Sequence, residues 1–495
     1  MGPAQARTAR FLALVSSLVS LGAALILWGA FDAASGELQF VERHPWVPFL
    51  GVEYFVGIDG LGLLMVLLTA LLVPMSLAAG WKSQDRVSLQ LALVMFLQSG
   101  LFGAFTALNF FHWFLFWELS LIPAFFLIKL WGGPGRGPAA TQFFVYTMVG
   151  SVAMLLSFLA IFLATKKFDF IELAEFGRQN RWAAYFNVRL GWYSVSAETL
   201  TMLVFLGVFL GFAVKVPLIP FHTWLPGAYT EAPSSTTMLL TGVMSKLGVY
   251  GFLRILVPLF PEQVRALQTP LLTLAILTIV CSAAAAFAQK DIKRMLAYSS
   301  INHLGYCLLG VFAVVKLTGD DPRMATEKAA AMNGVFLQMF NHGITAGALF
   351  WFVSLFEERS GGLRGVNDFG GLRKVAPVLC GMMGIAVFAS LGLPGLSGFV
   401  GEFLIFKGVF PLAPCAATLS TLGLLITAVF LLTLLQKVFH GPLNAKWAAF
   451  RDLTTGERWL FAAPIALLFV LGIYPQALVG LFNGTVVQWI ERIQP

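Results

Sequence analysis

Apolar runs of about twenty residues follow one another almost without pause from residue 11 to residue 482. That pattern limits the chain more than any motif, because a bilayer-crossing helix needs about 20 mostly apolar residues. Only 11% of the residues are charged and 58% are hydrophobic, whereas a soluble domain carries roughly 25% charge. An ordinary globular protein is therefore excluded. The reading is an all-α, polytopic membrane protein. The runs, bounded by charge, Gly or Pro, predict about thirteen spans, with cores near 11–30, 59–80, 88–108, 110–130, 140–164, 198–224, 233–257, 270–288, 293–316, 331–356, 376–410, 416–438 and 458–482.

The net charge of +8 does not call for nucleic acid, since Lys and Arg fall mainly in short connections. An N-terminus-inside threading gathers Lys82, Arg86, Arg136, Lys290 to Arg294, Arg359, Arg364, Arg373, Lys374, Lys446, Arg451 and Arg458 on one side, which is then cytoplasmic. The exception is segment 165–197, with Lys166, Lys167, Arg178, Arg181 and Arg189, which falls outside. Thirteen spans put the C-terminus outside. Cys281, Cys307, Cys380 and Cys415 stand singly, which argues against a disulfide framework or a metal cluster. The opening MGPAQARTAR lacks a myristoylation signal, and the first run is read as a retained helix.

Two spans differ in kind. The sixth is broken by VPLIPFHTWLP and the eleventh by LGLPGLSGF. An offset of roughly 180 residues brings the two together, the trace of an inverted-repeat transporter with its working site at mid-membrane. This predicts N-terminal helices over 1–87, five-helix repeats over 88–257 and 270–440, and a C-terminal helix and tail over 441–495.

Ionisable residues stand inside these runs: Glu118 in FFHWFLFWELSLIPAFFLI, Lys215 in LGVFLGFAVKVPL, Lys246 in LLTGVMSKLGVYGF, His303 in SSINHLGYCLLG, His342 in LQMFNHGITAGALF and Glu402 in LSGFVGEFLIF. A charge at mid-bilayer costs about 2.5 to 3.5 kcal/mol on insertion scales. One such pair could be a static salt bridge fixing helix register, and a single histidine could be a packing residue. Six ionisable residues on six spans exceed what bridging needs and fit a proton relay. A desolvated lysine loses proton affinity and a nearby carboxylate restores it. Moving a proton against about 180 mV costs roughly 4 kcal/mol, and a swing of about three pKa units supplies about that much.

Pro217 and Pro220 remove helical hydrogen bonds just after Lys215, freeing carbonyls and making room for water. His222 is a possible shuttle in the opened segment, or else a solvated turn residue. Gly392, Pro394, Gly395 and Gly398 open the eleventh span before Glu402 in the same way. Asp59 and Asp291 read as helix caps. An imidazole pair at His303 and His342 could also hold haem iron. No metal spacing, nucleophile with a base, or phosphate loop accompanies the row.

The segments FWELSLIPAFFLI, GFAVKVPLIPFHTWLPGAYTEAP, GVMSKLGVYGFLRILVPLFP, AFAQKDIKRMLAYSSINHLGY and LGLPGLSGFVGEFLIF closely resemble the antiporter-like subunits of respiratory complex I, over nearly the whole chain. The resemblance implies proton translocation within a large redox-driven assembly by a subunit with two inverted five-helix repeats. It places the family's essential glutamate at Glu118, its paired lysine at Lys215, its central lysine at Lys246, its connecting histidines at His303 and His342, and its distal ionisable group at Glu402. It implies no cofactor in this chain, with NADH, flavin, iron–sulfur clusters and a quinone used elsewhere in the host complex. The implied partners are other membrane-arm subunits, including sister antiporter-like subunits, and the lipid of a bacterial plasma (inner) membrane. Subunits of multisubunit Na+/H+ antiporters, membrane-bound hydrogenases and carbon-uptake complexes share these features and form the alternative. A purely structural scaffold is a third reading. The chain departs from the family in three ways. It reads as beginning at the second of fourteen usual spans, it carries Gly227 where WLPDA has Asp, and it is extended near 165–197 and 317–330. Its end at Pro495, without a long lateral helix, argues against the largest sister subunit.

Overall fold

The computed structural model describes residues 3–493 apart from residues 187, 191, 192 and 320. The expected start at Met1 and end at Pro495, and parts of the extended segments near 165–197 and 317–330, lie outside the described residues.

Capping residues mark where several of the helices begin. Helix α1 (Pro3–Ala30) leads to an antiparallel hairpin, β1 (Gln39–Val47) and β2 (Val52–Ile58). Asp59 then caps α2 (Gly60–Ala79) by accepting from Gly62 N. Helix α3 (Val87–Thr106) precedes α4 (Phe110–Trp131), which is capped by Asn109, and α5 (Arg136–Thr165) follows. The segment after α5 holds α6 (Phe170–Arg178), α7 (Trp182–Tyr185) and a hairpin of β3 (Val188–Leu190) and β4 (Tyr193–Val195). A broken helix follows, as α8 (Ala197–Lys215) and α9 (Trp224–Glu231). The next span, α10 (Ser234–Leu259), contains two π turns, Leu240–Met244 and Phe252–Leu256.

The short α11 (Pro261–Ala266) leads into α12 (Gln268–Phe287) and α13 (Ile292–Val314), which Asp291 caps by accepting from Arg294 N. Asp291 and Asp59 are thus both helix caps. The 39-residue α14 (Pro322–Ser360) is followed by a second broken helix, α15 (Pro377–Ser390) and α16 (Ser397–Leu412). The chain finishes with α17 (Pro414–Phe439), α18 (Thr455–Ile473) and α19 (Gln476–Ile493).

Eleven of these helices are long and apolar enough to cross a membrane alone, against the thirteen expected. Two expected spans fall short for visible reasons: α13 carries Lys293, Arg294, Asn302 and His303, and the eleventh span is split into pieces of 14 and 16 residues. The last expected span ends at Ile473 rather than 482, because Pro475 cannot continue a helix and α19 starts afresh.

α10 and α14 form the centre, each 94% buried over its apolar window, whereas α1 is 17% buried and lies at the rim. Contacts between connections define the two ends of the bundle. At one end Lys82 pairs with Glu358, Gly133 N donates to Glu231 O, and Arg359 pairs with Glu457. At the other the start of α2 meets α19 through Gly60 N to Thr485 Oγ1, and Arg43 on β1 pairs with Asp169 in the 165–197 segment. They are called here the basic end and the hairpin end. The run α3, α4, α5, α8/α9, α10 starts at the basic end, and the run α12, α13, α14, α15/α16, α17 starts at the hairpin end. In both the fourth member is broken.

Candidate functional site

Lys246 sits at 0% exposure in the middle of α10. The preceding π turn lets its chain fold back. Nζ donates to the Thr241 carbonyl five residues earlier, and to His342 Nδ1 on α14 at 2.7 Å. As an ammonium Lys246 can only donate, and in that state His342 Nδ1 accepts and its Nε2 carries the hydrogen. The Thr241 carbonyl also takes the Ser245 hydroxyl at 2.9 Å.

The His342 ring lies 5.1 Å, centre to centre, from the His303 ring on α13. His303 Nδ1 is 3.0 Å from Glu402 Oε1 on α16, and its Nε2 is 3.2 Å from Ser390 Oγ at the end of α15. Gln338 Nε2 on α14 donates to Glu402 Oε1 at 3.2 Å. A void of about 10 Å³, lined by Gln338, Thr345, Ser390 and Gly398 among others, lies between the histidines and Glu402. That is the size of one water. Four of the six expected residues therefore form one buried, nearly continuous polar row. The haem alternative does not fit, because rings 5.1 Å apart leave no room for a porphyrin between them.

The other two stand apart. Lys215, 2% exposed, ends α8 with no hydrogen-bond partner for Nζ, which lies 4.8 Å over the Trp117 ring. Glu118, on the same turn of α4 as Trp117, has an unpartnered Oε1 and makes no hydrogen bond with Lys215, whose Nζ is also unpartnered. A cation over an indole face is stabilised by about 0.5 to 2 kcal/mol, so Trp117 supplies the contact-range stabilisation of Lys215. The gap leading from Lys215 past Tyr229 and Leu240 to Ser245 is too tight for water.

Two backbone groups at the first break have protein partners. The carbonyl of Val214 accepts from the Trp224 indole at 2.9 Å, and Ile219 N donates to Thr278 Oγ1 at 3.0 Å. His222 lies half-buried, 6.5 Å from the Tyr298 ring, and no hydrogen bond joins it to the other six. At the second break Gly392 (φ +79) and Gly395 (φ +91) adopt left-handed conformations that favour glycine.

Sequence reasoning missed Gln338, Ser390 and Thr241. Gln338 lies one turn before His342 on the same face of α14, a spacing that makes it a neighbour of the row. Ser390 and Thr241 leave no comparable signal, because their roles follow from where α15 stops and where α10 takes up its π turn.

The family described as NADH:quinone oxidoreductase/Mrp antiporter, TM, matches residues 107–431. Subunit M of NADH-quinone oxidoreductase from Rhodobacter capsulatus is 35% identical over 492 residues, spanning 99% of this chain and 92% of the relative. The chain belongs to the NADH:quinone oxidoreductase/Mrp antiporter family. Subunit M of the F(420)H(2) dehydrogenase of Methanosarcina mazei is 34% identical over 472 residues, 93% of this chain and 89% of that one. Among solved structures, a chain of respiratory complex I from Thermus thermophilus with bound NADH superposes with a TM-score of 0.84 at 30% identity, covering 98% of this chain and 96% of that one. A chain of the Mrp complex from Dietzia sp. DQ12-45-1b reaches 0.81 at 18% identity, covering 99% and 95%, a likeness of fold. All seven residues singled out lie within the matched region, and the protein is a multi-pass membrane protein of this family.

Proposed function

We propose that the chain is the proton-translocating membrane-arm subunit, corresponding to subunit M, of a quinone-reducing complex of the complex I type. The observation that carries this reading is the row Lys246–His342–His303–Glu402, buried between two broken helices with hydrogen bonds at both ends. Its groups are the types that gain and lose protons, and their spacing suits transfer in short hops.

In this reading the two five-helix runs are inverted repeats over about 88–257 and 270–440. Quinone chemistry elsewhere in the assembly shifts charge along the membrane arm. Glu118 closes on Lys215 or withdraws from it, changing the field at Lys246. Lys246 Nζ passes a proton to His342 Nδ1, which releases its Nε2 hydrogen toward His303. His303 then yields a proton from Nδ1 to Glu402, which discharges toward the hairpin end. His222 stands beside the break as a further shuttle once the segment is hydrated. The basic end is cytoplasmic by its Lys and Arg loops, the membrane is the bacterial inner membrane, and α1 begins inside. NADH, flavin, iron–sulfur clusters and quinone belong to other subunits, and the partners are the neighbouring membrane-arm subunits.

Purification from native membrane in mild detergent tests this. Flavin and iron–sulfur subunits should travel with the chain, together with quinone reductase activity. Recovery with none but other antiporter subunits would replace the reading with a Na+/H+ antiporter.

A further inference from the structure

A second polar cluster lies between Lys246 and the basic end, and the relay as drawn leaves it unused. Glu357 on α14 has a side chain 25% exposed, so solvent reaches it. Its Oε2 accepts from the Ser234 hydroxyl at 2.6 Å, and Ser234, the first residue of α10, is buried. Ser234, Thr237, Thr241 and Ser245 then recur at helical spacing along one stripe of α10, all buried. Thr241 Oγ1 shares a hydrogen bond of 2.9 Å with Ser300 Oγ on α13, and the Thr241 carbonyl receives Lys246 Nζ. A row of hydroxyls thus runs from a carboxylate at the basic end to the foot of the central lysine.

The charged groups around Glu357 hold it in place. Lys293 Nζ on α13 and Arg364, beyond α14, each lie 3.4 Å from Oε1. Lys293 also donates to the Ala232 carbonyl, and Arg364 to the Thr230 carbonyl and the Asp291 carboxylate. Glu231 on α9 is turned away to Gly135 N, Glu358 pairs with Lys82, and Arg359 pairs with Glu457. Of these carboxylates, Glu357 is the one hydrogen-bonded to the hydroxyl stripe.

Resting on the pump reading above, we propose that Glu357 takes up protons from the basic end and that Ser234, Thr237, Thr241 and Ser300 conduct them to Lys246. A solvent proton adds to the Glu357 carboxylate. Each hydroxyl accepts one proton and releases its own to the next, and the Thr241–Ser300 pair turns a hydroxyl to the neutral Lys246 amine, held at rest by the Thr241 carbonyl, to deliver the last. Thr237 is the gate, because its hydroxyl is turned to the carbonyls of Tyr229, Ala232 and Pro233. Conduction requires it to swing toward Ser234 on one side and Thr241 on the other.

The experiment uses the intact complex in vesicles, with proton uptake per electron followed as the pH at the basic end is varied. Glu357→Gln should match wild type near pH 6 and fall about tenfold behind near pH 8, where free protons are scarce and a positioned acceptor matters most. Glu357→Asp should restore most of the loss, and Glu358→Gln should change nothing. Ser234→Ala breaks the first hop without altering the charge cluster and should reproduce the high-pH defect. It decides the matter if the glutamine variant fails to assemble. Wild-type uptake at every pH in Ser234→Ala or Glu357→Gln, with Lys246→Ala inactive, overturns the uptake route and leaves the pump standing. Unchanged uptake in Lys246→Ala would remove the pump reading and the route together.

Discussion

Gly392→Ala tests whether the contact between Glu402 and His303 carries protons. Gly392 has φ +79, and an added Cβ would stand 2.8 Å from Glu402 Oε2. Ordinary contact begins at 3.4 Å, so the carboxylate must retreat by about 0.6 Å. A retreat along the line of the His303 contact would lengthen Oε1···Nδ1 from 3.0 Å to about 3.6 Å, beyond hydrogen-bond range. Gly395 supplies the control, with φ +91 and nothing within 4 Å of its added Cβ. Both alanine variants pay left-handed strain of about 1 to 2 kcal/mol. Gly392→Ala alone also loses a charge-assisted hydrogen bond of about 1.5 to 3 kcal/mol. At about 1.4 kcal/mol per decade, proton transfer should slow roughly 10- to 100-fold in Gly392→Ala and much less in Gly395→Ala. Thermal unfolding in detergent reports the shared strain, and proton release per electron in vesicles reports the difference. Equal pumping by the two variants would refute the reasoning.

Two further outcomes follow from the surrounding structure. Burial pushes the Asp59 carboxyl up, but the Arg254 guanidinium, bonded to both oxygens, and the Gly62 N–H outweigh it and hold it below the usual carboxylate value. A lowered native pKa stabilises the fold above the unfolded value of about 3.9 and loses that stability as pH falls through the native one. The melting temperature should therefore be flat down to about pH 4 and drop below it, and Asp59→Asn should flatten the acid limb. Trp224→Phe removes the donor to Val214 O and leaves a buried carbonyl unpaired, a loss of about 1 to 3 kcal/mol that calorimetry of the purified complex would register.

The groups of the proposed relay were legible because apolar surroundings make each one conspicuous. Glu118, Lys215, Lys246, His303, His342 and Glu402 all stand in greasy runs, and the broken spans follow from Pro217, Pro220 and Pro394. Connectivity was not legible. Nothing in the spacing of Lys215 and Lys246 says that Lys246 turns toward His342 while Lys215 rests over Trp117. Those directions depend on a π turn and on which side chains fill the break. That Trp224 would bond the Val214 carbonyl and Thr278 the Ile219 N–H was equally hidden, because tertiary packing sets both. The β1–β2 hairpin was passed over as a connection, because its alternation is weak beside the spans that flank it. The end of the last span was overrun because LFVLGIYPQALVGLF stays apolar across a proline that stops the helix.

The most direct measurement is proton release per electron from vesicles containing the assembled complex with Lys246→Met. Methionine fills the same volume, and the Thr241 carbonyl keeps its bond from Ser245, so His342 Nδ1 is the group left unpaired. The cost in stability is then about 1 to 3 kcal/mol. The account predicts normal assembly with the pumping carried by this subunit abolished. Wild-type proton release from that assembled variant would contradict it.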